Sequence, residues 1–183
     1  MPLAQSLLSR EEYLQQEQQT ELKHEFLQGQ CCYAMAGDTF NHARVAGNLF
    51  ASLRQHLLGK PCHPMNSDLR VHTPSGLDTY PDVSVYCHEP DLSDNQTTLL
   101  NPVLLVEVLS LSTRNYDRTS KFAHYRSITS LQDYLLIDPD TILVEHYHRL
   151  KQDEWLLRVY SQISDVISFE TLGIQVPLSA IYG

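Results

Sequence analysis

The chain has 183 residues, 42% of them hydrophobic and 19% charged, which suits one globular domain and excludes a disordered or low-complexity polymer. No apolar stretch reaches the roughly 18 residues of a membrane span, and MPLAQSLLSREEY lacks a basic region followed by a sustained apolar one, so a cytoplasmic protein is expected. A net charge of −9 weighs against broad electrostatic capture of nucleic acid.

Ser9 and Glu12 form a capping-box pattern that opens a short helix to about Gln19. HEFLQGQCCYAM predicts a hairpin turning at Gln28-Gly29, with strands over 23–27 and 30–35. Val45, Leu49, Leu53 and Leu57 recur every four residues and predict a helix from Asn41 to Leu58, stopped by Gly59. A strand is expected over 62–72, another in YPDVSVYC, and a polar loop over 87–101. VLLVEVL (103–109) reads as a strand buried on both faces. A polar turn, a helix over 117–127 and a strand over 133–138 then complete a βαβ unit with parallel strands. Strands at 142–148 and 154–160 and a small strand with a helical turn within 165–182 end the chain. The four cysteines, Cys31, Cys32, Cys62 and Cys87, make no CxxC and are expected to be free thiols.

Glu107 stands in the middle of the apolar strand 103–109, where an ionised carboxylate needs a partner or a cation. Asp82 follows Pro81 at the start of its own strand, and the two carboxylates converge if the strands are neighbours. Close carboxylates both stay ionised only if a cation joins them. Oxygen donors of this kind suit Mg²⁺ or Mn²⁺, with the carbonyl of Val108 as a third protein oxygen. Such a metal activates water and stabilises the departing oxygen in phosphodiester cleavage. Lys121, on the following helix, can orient the attacking water or neutralise developing charge. The plainer alternatives are a turn role for Asp82, a structural ion pair of Glu107 with Lys121 or Arg114, and an i,i+4 surface pair between Asp117 and Lys121. Residues 114–126 hold Arg114, Arg118, Lys121 and Arg126 against Asp117 alone, either a local phosphate site or a solvated helix face. His146 and His148 share a strand face with the alternation of a two-histidine metal site, but the sequence shows no third ligand.

TYPDVSVY, VLLVEVLSLSTRNYDRTSKFAHYRS and LQDYLLIDP resemble the Uma-two family of restriction endonucleases, abundant in cyanobacteria and grouped with the PD-(D/E)xK nucleases. HEFLQGQCCYAMAG and NHARVAGNLF extend the likeness over nearly the whole chain. The resemblance implies one α/β domain over residues 1–183, with a restriction-endonuclease-like mixed central β-sheet and flanking helices. It implies that Asp82 is the acid of "PD" and Glu107 the "D/E". The lysine expected two residues later is absent, since that position is Leu109, and its role passes to Lys121. Glu25 becomes the additional N-terminal acid, and His42 an auxiliary residue near phosphate or water.

The expected function is a Mg²⁺- or Mn²⁺-dependent endonuclease hydrolysing nucleic acid, with DNA as the first candidate substrate. Asp82 and Glu107 bind the metal in this reading, Lys121 assists the nucleophile, and Glu25 and His42 are auxiliary. The alternative is a nuclease fold without catalysis, serving as a DNA-binding or protein-interaction module. The strands at 142–148 and 154–160 also suit a homodimer.

Overall fold

Local sequence signals set the first elements. In the computed structural model, which describes residues 7–34 and 39–183, helix α1 spans Arg10–Glu17. Ser9 accepts from the Glu12 amide, and the Glu12 carboxylate accepts from the Ser9 amide at 2.8 Å, closing the capping box. Strands β1 (His24–Leu27) and β2 (Gln30–Ala34) follow. Gln28 and Gly29 turn between them with φ of 51° and 86°, the left-handed backbone of a tight two-residue hairpin. The expected strand end at residue 35, like the first six residues, lies outside the described residues. Helix α2 (Phe40–His56) is capped by Thr39 and buries Val45, Leu49 and Leu53. It ends two residues short of the expected Leu58, and Gly59 takes φ of 77° in the turn that follows.

The strand expected over 62–72 is two strands, β3 (Cys62–Asn66) and β4 (Arg70–His72). Between them the Asp68 amide donates to the Asn66 side-chain oxygen at 3.2 Å, an Asx-type turn that carries the chain from one sheet to another. Strand β5 (Leu77–Thr79) precedes β6 (Val83–Cys87), and the expected loop 87–101 carries the short strands β7 (Leu92–Ser93) and β8 (Thr98–Leu99). The apolar run becomes β9 (Leu104–Val108). The helix expected over 117–127 starts earlier, as α3 (Arg114–Tyr116), continues through a π-helical turn (Asp117–Lys121), and ends as α4 (Phe122–Tyr125). The remaining elements are β10 (Asp133–Ile137), β11 (Val144–Lys151), β12 (Glu154–Tyr160), β13 (Val166–Phe169), β14 (Ile174–Pro177) and α5 (Leu178–Tyr182).

The main sheet runs β12-β11-β10-β9-β6-β3. It is mixed: β9 and β10 are parallel, as their helical crossover requires, and the other neighbours are antiparallel. A second sheet runs β2-β1-β5-β4-β8-β7, and β13 and β14 form a separate hairpin. Period-two alternation splits the main sheet between two cores. Leu104, Val106, Val108, Leu135 and Ile137 pack with α2, β13, β14 and α5 on one face. Leu105, Leu109, Tyr134 and Leu136 pack with Tyr125, Ile128 and the second-sheet residues Val71, Leu77 and Leu99 on the other. Sheets flanked by helices in this way make a mixed α/β fold. No helix of the described residues is long and apolar enough to cross a membrane.

The cysteines depart from the expectation of free thiols. Cys62 and Cys87 sit directly opposite one another across β3 and β6 and form a disulfide, while Cys31 is exposed and outside it. The pairing depends on strand register, which no cysteine spacing encodes. Alkylation of protein purified without reductant, followed by peptide mapping, is expected to label Cys31 and to leave Cys62 and Cys87 unlabelled until reduction. Replacing both by serine is expected to cost about 3 kcal/mol in urea unfolding, the scale for closing a loop of this size.

Candidate active site

The site forms where β9, the π-helical turn and the second sheet meet. Alternation points Glu107 away from the α2 core and toward the second sheet, between Leu105 and Leu109. The β6–β9 register pairs Val83 with Val106, so one step further sets Asp82 opposite Glu107. The neighbour relation on which the two-carboxylate reading depends is thus present. Asp82 Oδ2 accepts the Val108 amide at 2.7 Å, which ties its carboxylate to β9 immediately beyond Glu107. His42, in the first turn of α2, brings Nε2 to 3.4 Å from the same oxygen.

Lys121 closes the π-helical turn and is buried. Its Nζ lies 2.8 Å from Glu25 Oε1, 3.1 Å from Asp117 Oδ1 and 3.4 Å from Glu107 Oε1. Thr79 donates to Glu25 Oε1, and Tyr125 donates to Glu107 Oε1 at 2.6 Å. Tyr134 donates to the main-chain carbonyl of Asp117 at 3.0 Å. The Asp117–Lys121 pair therefore exists, but not on the surface: the two side chains are 2% and 5% exposed. A π turn adds a residue to the helical repeat, and such turns recur at functional sites.

The structure thus gathers Glu25, Glu107 and Lys121 into one cluster, with Asp82 bound to the adjoining β9 backbone and His42 beside the Asp82 carboxylate. Asp117, Tyr125 and Thr79 belong to the same cluster and were not read as site residues from the sequence. Asp117 carried the only readable signal, its four-residue spacing from Lys121, which points equally to a surface pair. Tyr125 reads as one more apolar-face residue, because its hydroxyl has no partner near it in sequence. Two of the four cations in residues 114–126 are engaged by acids: Lys121 binds the cluster and Arg118 pairs with Glu145 at 2.7 Å.

The electrostatics are lopsided. Three carboxylates (Glu25, Glu107 and Asp117) surround one buried ammonium, and a fourth, Asp82, acts on Glu107. Burial pushes the Glu107 carboxyl well above the usual range, Lys121 opposes this, and the charges of Asp117, Asp82 and Glu25 add to it. Burial alone would lower the Lys121 ammonium, but Glu107, Glu25 and Asp117 outweigh it and hold the group well above its ordinary value. Lys121 is therefore a fixed positive charge that donates hydrogen bonds, not a proton acceptor. Asp117 Oδ1 is buried and, despite the nearby ammonium, has no hydrogen-bond partner. The uncompensated negative charge is one that either a proton on Glu107 or a bound cation neutralises. The donors are hard carboxylate oxygens, so the residues fit Mg²⁺ or Mn²⁺.

This imbalance has a sign in pH. Glu107 is raised in the folded state, so folding favours its protonated form, and stability falls as pH climbs from the ordinary carboxylate range toward the raised value. In chelator, Glu107→Gln is expected to have a higher Tm than wild type, with a gain that grows over that same climb. The two are expected to converge at low pH, where wild-type Glu107 is protonated in both states. A Tm difference independent of pH would show that Glu107 does not carry the excess charge.

Residues 10–179 match the model of the Uma2 family, described as "Putative restriction endonuclease". The uncharacterized protein slr1290 of Synechocystis sp. (strain ATCC 27184 / PCC 6803 / Kazusa) is 39% identical over 176 residues, covering 96% of this chain and 91% of that one. A second uncharacterized protein of the same organism, sll1609, is 40% identical over 153 residues, covering 82% of this chain and 86% of that one. The crystal structure of a putative nuclease belonging to DUF820 from Anabaena variabilis superposes with a TM-score of 0.74 over 92% of this chain and 96% of that one. Its 17% identity makes this a likeness of fold. The match over almost the full length, together with relatives 39% and 40% identical, places the protein in the Uma2 family of putative restriction endonucleases.

Proposed function

We propose that the protein is a cytoplasmic, Mg²⁺- or Mn²⁺-dependent endonuclease that hydrolyses phosphodiester bonds, with DNA as its substrate. The observation that carries this reading is the buried Lys121 ammonium, set among Glu25, Glu107 and Asp117 beside the strand position that Asp82 faces. Asp82 and Glu107, with the carbonyl of Val108, would hold the metal, which when bound supplies an activated water and stabilises the departing oxygen. Lys121 donates to the water or to a phosphate oxygen, because its three carboxylate partners keep it charged. Glu25, anchored by Thr79, orients Lys121, and Tyr125 orients Glu107. His42 steadies the Asp82 carboxylate.

A second reading, a nuclease fold kept as a binding or interaction module, is favoured by one observation. The position of the absent strand lysine is filled by Leu109, which is buried in the second core. A homodimer fits either reading, because β12 is the outer strand of the main sheet and leaves Leu157 46% and Val159 57% exposed. Light scattering is expected to give twice the chain mass for wild type and the chain mass for Leu157→Lys.

The nuclease reading is tested on supercoiled plasmid with Mg²⁺ or Mn²⁺ and with chelator. Wild type is expected to nick only with metal, and Glu107→Gln and Lys121→Met to be slower by on the order of 100-fold. DNA binding that is steeply salt-dependent, metal-independent and without cleavage would favour the module instead.

A further inference from the structure

On the opposite face of the main sheet, three metal-binding side chains converge. His146 and His148 alternate onto one face of β11, and the antiparallel register sets Asp133 of β10 opposite His148 and diagonal to His146. Asp133 Oδ1 lies 2.7 Å from His146 Nε2 and 2.8 Å from His148 Nδ1, and the three atoms all lie within 4.8 Å of one another. We propose that Asp133, His146 and His148 form a binding site for Zn²⁺ or a similar transition-metal ion, separate from the carboxylate site.

Hydrogen bonding alone leaves this cluster poorly satisfied. Both imidazoles crowd onto Oδ1, while Asp133 Oδ2 is buried with no hydrogen-bond partner. Asp133 and His146 are themselves fully buried. An ion bound to Oδ1 and the two nitrogens turns the convergence into coordination, and Oδ2 becomes either a second donor or the acceptor for a metal-bound water. Donors around tetrahedral Zn²⁺, with bonds of about 2.0–2.1 Å, stand roughly 3.3 Å apart. The two aspartate–histidine distances therefore have to open by only about half an ångström, and the two histidine nitrogens already lie within 4.8 Å of each other.

The donor set also chooses the ion. Two imidazoles and a carboxylate suit Zn²⁺, Co²⁺ or Ni²⁺, whereas Mg²⁺ takes oxygen ligands. Phe169 and Tyr160 pack against the His146 ring and hold its plane. His148 is 14% exposed at its side chain and gives an ion its way in. The parallel register pairs Asp133 with Leu104 and Leu136 with Glu107, so the cluster sits three residues back along the strands from Glu107 and on the other face. An ion there would clasp β10 to β11 without entering the carboxylate site.

The test uses the full chain stripped with chelator, with Zn²⁺ and Co²⁺ as probes. Calorimetry is expected to show one Zn²⁺ bound per chain, with a rise in Tm. Co²⁺ is expected to give the visible absorption of a nitrogen- and oxygen-ligated tetrahedral ion. His148→Ala, with an unchanged far-UV circular dichroism spectrum, should bind at least on the order of 100-fold more weakly and lose the absorption. Glu107→Gln should keep both. Equal affinity in His148→Ala, or loss in Glu107→Gln instead, would overturn the assignment, as would wild type that binds no ion. If His148→Ala does not fold, ¹⁵N-labelled wild type decides: Zn²⁺ is expected to shift the ring nitrogens of His146 and His148, and unchanged nitrogens would overturn the site.

Discussion

One ammonium group, Lys121 Nζ, joins elements that are remote in sequence. It meets a carboxylate from β1, one from β9 and one from its own π-helical turn, so three parts of the fold depend on a single buried charge. Removing the ammonium from such a buried cluster costs about 3–5 kcal/mol, because the carboxylates left behind have lost both their solvent and their counter-charge. The cluster docks the second sheet and the helical crossover onto the main sheet. A purely apolar interface would also bury area, but it would not leave negative charge beside a strand end. That residual charge is what the proposed metal site rests on.

The central strands β9 and β10 are the frame for both faces. Each is buried on two sides, and the alternation of its side chains sorts polar groups as strictly as apolar ones. Glu107 emerges among the residues of the second core, while Asp133 emerges on the face packed by α2 and β13. A one-residue slip of either strand would exchange the two environments and strand each carboxylate without its partners. The mixed character of the sheet follows from the connections: the helical crossover makes β9 and β10 parallel, and the tight turn after β10 returns β11 antiparallel, bringing His146 and His148 back beside Asp133.

Much of this was legible in the chain itself. The Ser9–Glu12 box, the four-residue recurrence from Val45 to Leu53 and the Gln28-Gly29 turn are local signals, and local signals need no knowledge of what packs where. The apolar run around Glu107 announced a buried strand, and the oddity of a carboxylate within it marked a position that needs partners, which Lys121 and Tyr125 supply. The break at Ser67–Leu69 was less visible, because Asn66 and Asp68 form a turn that matters only once two sheets exist to be connected. The Cys62–Cys87 bond was invisible for the same reason.

Sequence alone therefore determined most of the element types, the parallel β9–β10 pair and the polar residues that cannot sit idle in apolar surroundings. Each of these follows from side-chain periodicity and desolvation, which act over a few residues. Tertiary structure decided the partners. Whether Lys121 faces water or three carboxylates, whether Tyr125 fills space or donates to Glu107, and whether two histidines find an aspartate all depend on strand register and on the π-helical turn. Those features are fixed by contacts between segments tens of residues apart, and the spacing of residues along one segment carries no record of them.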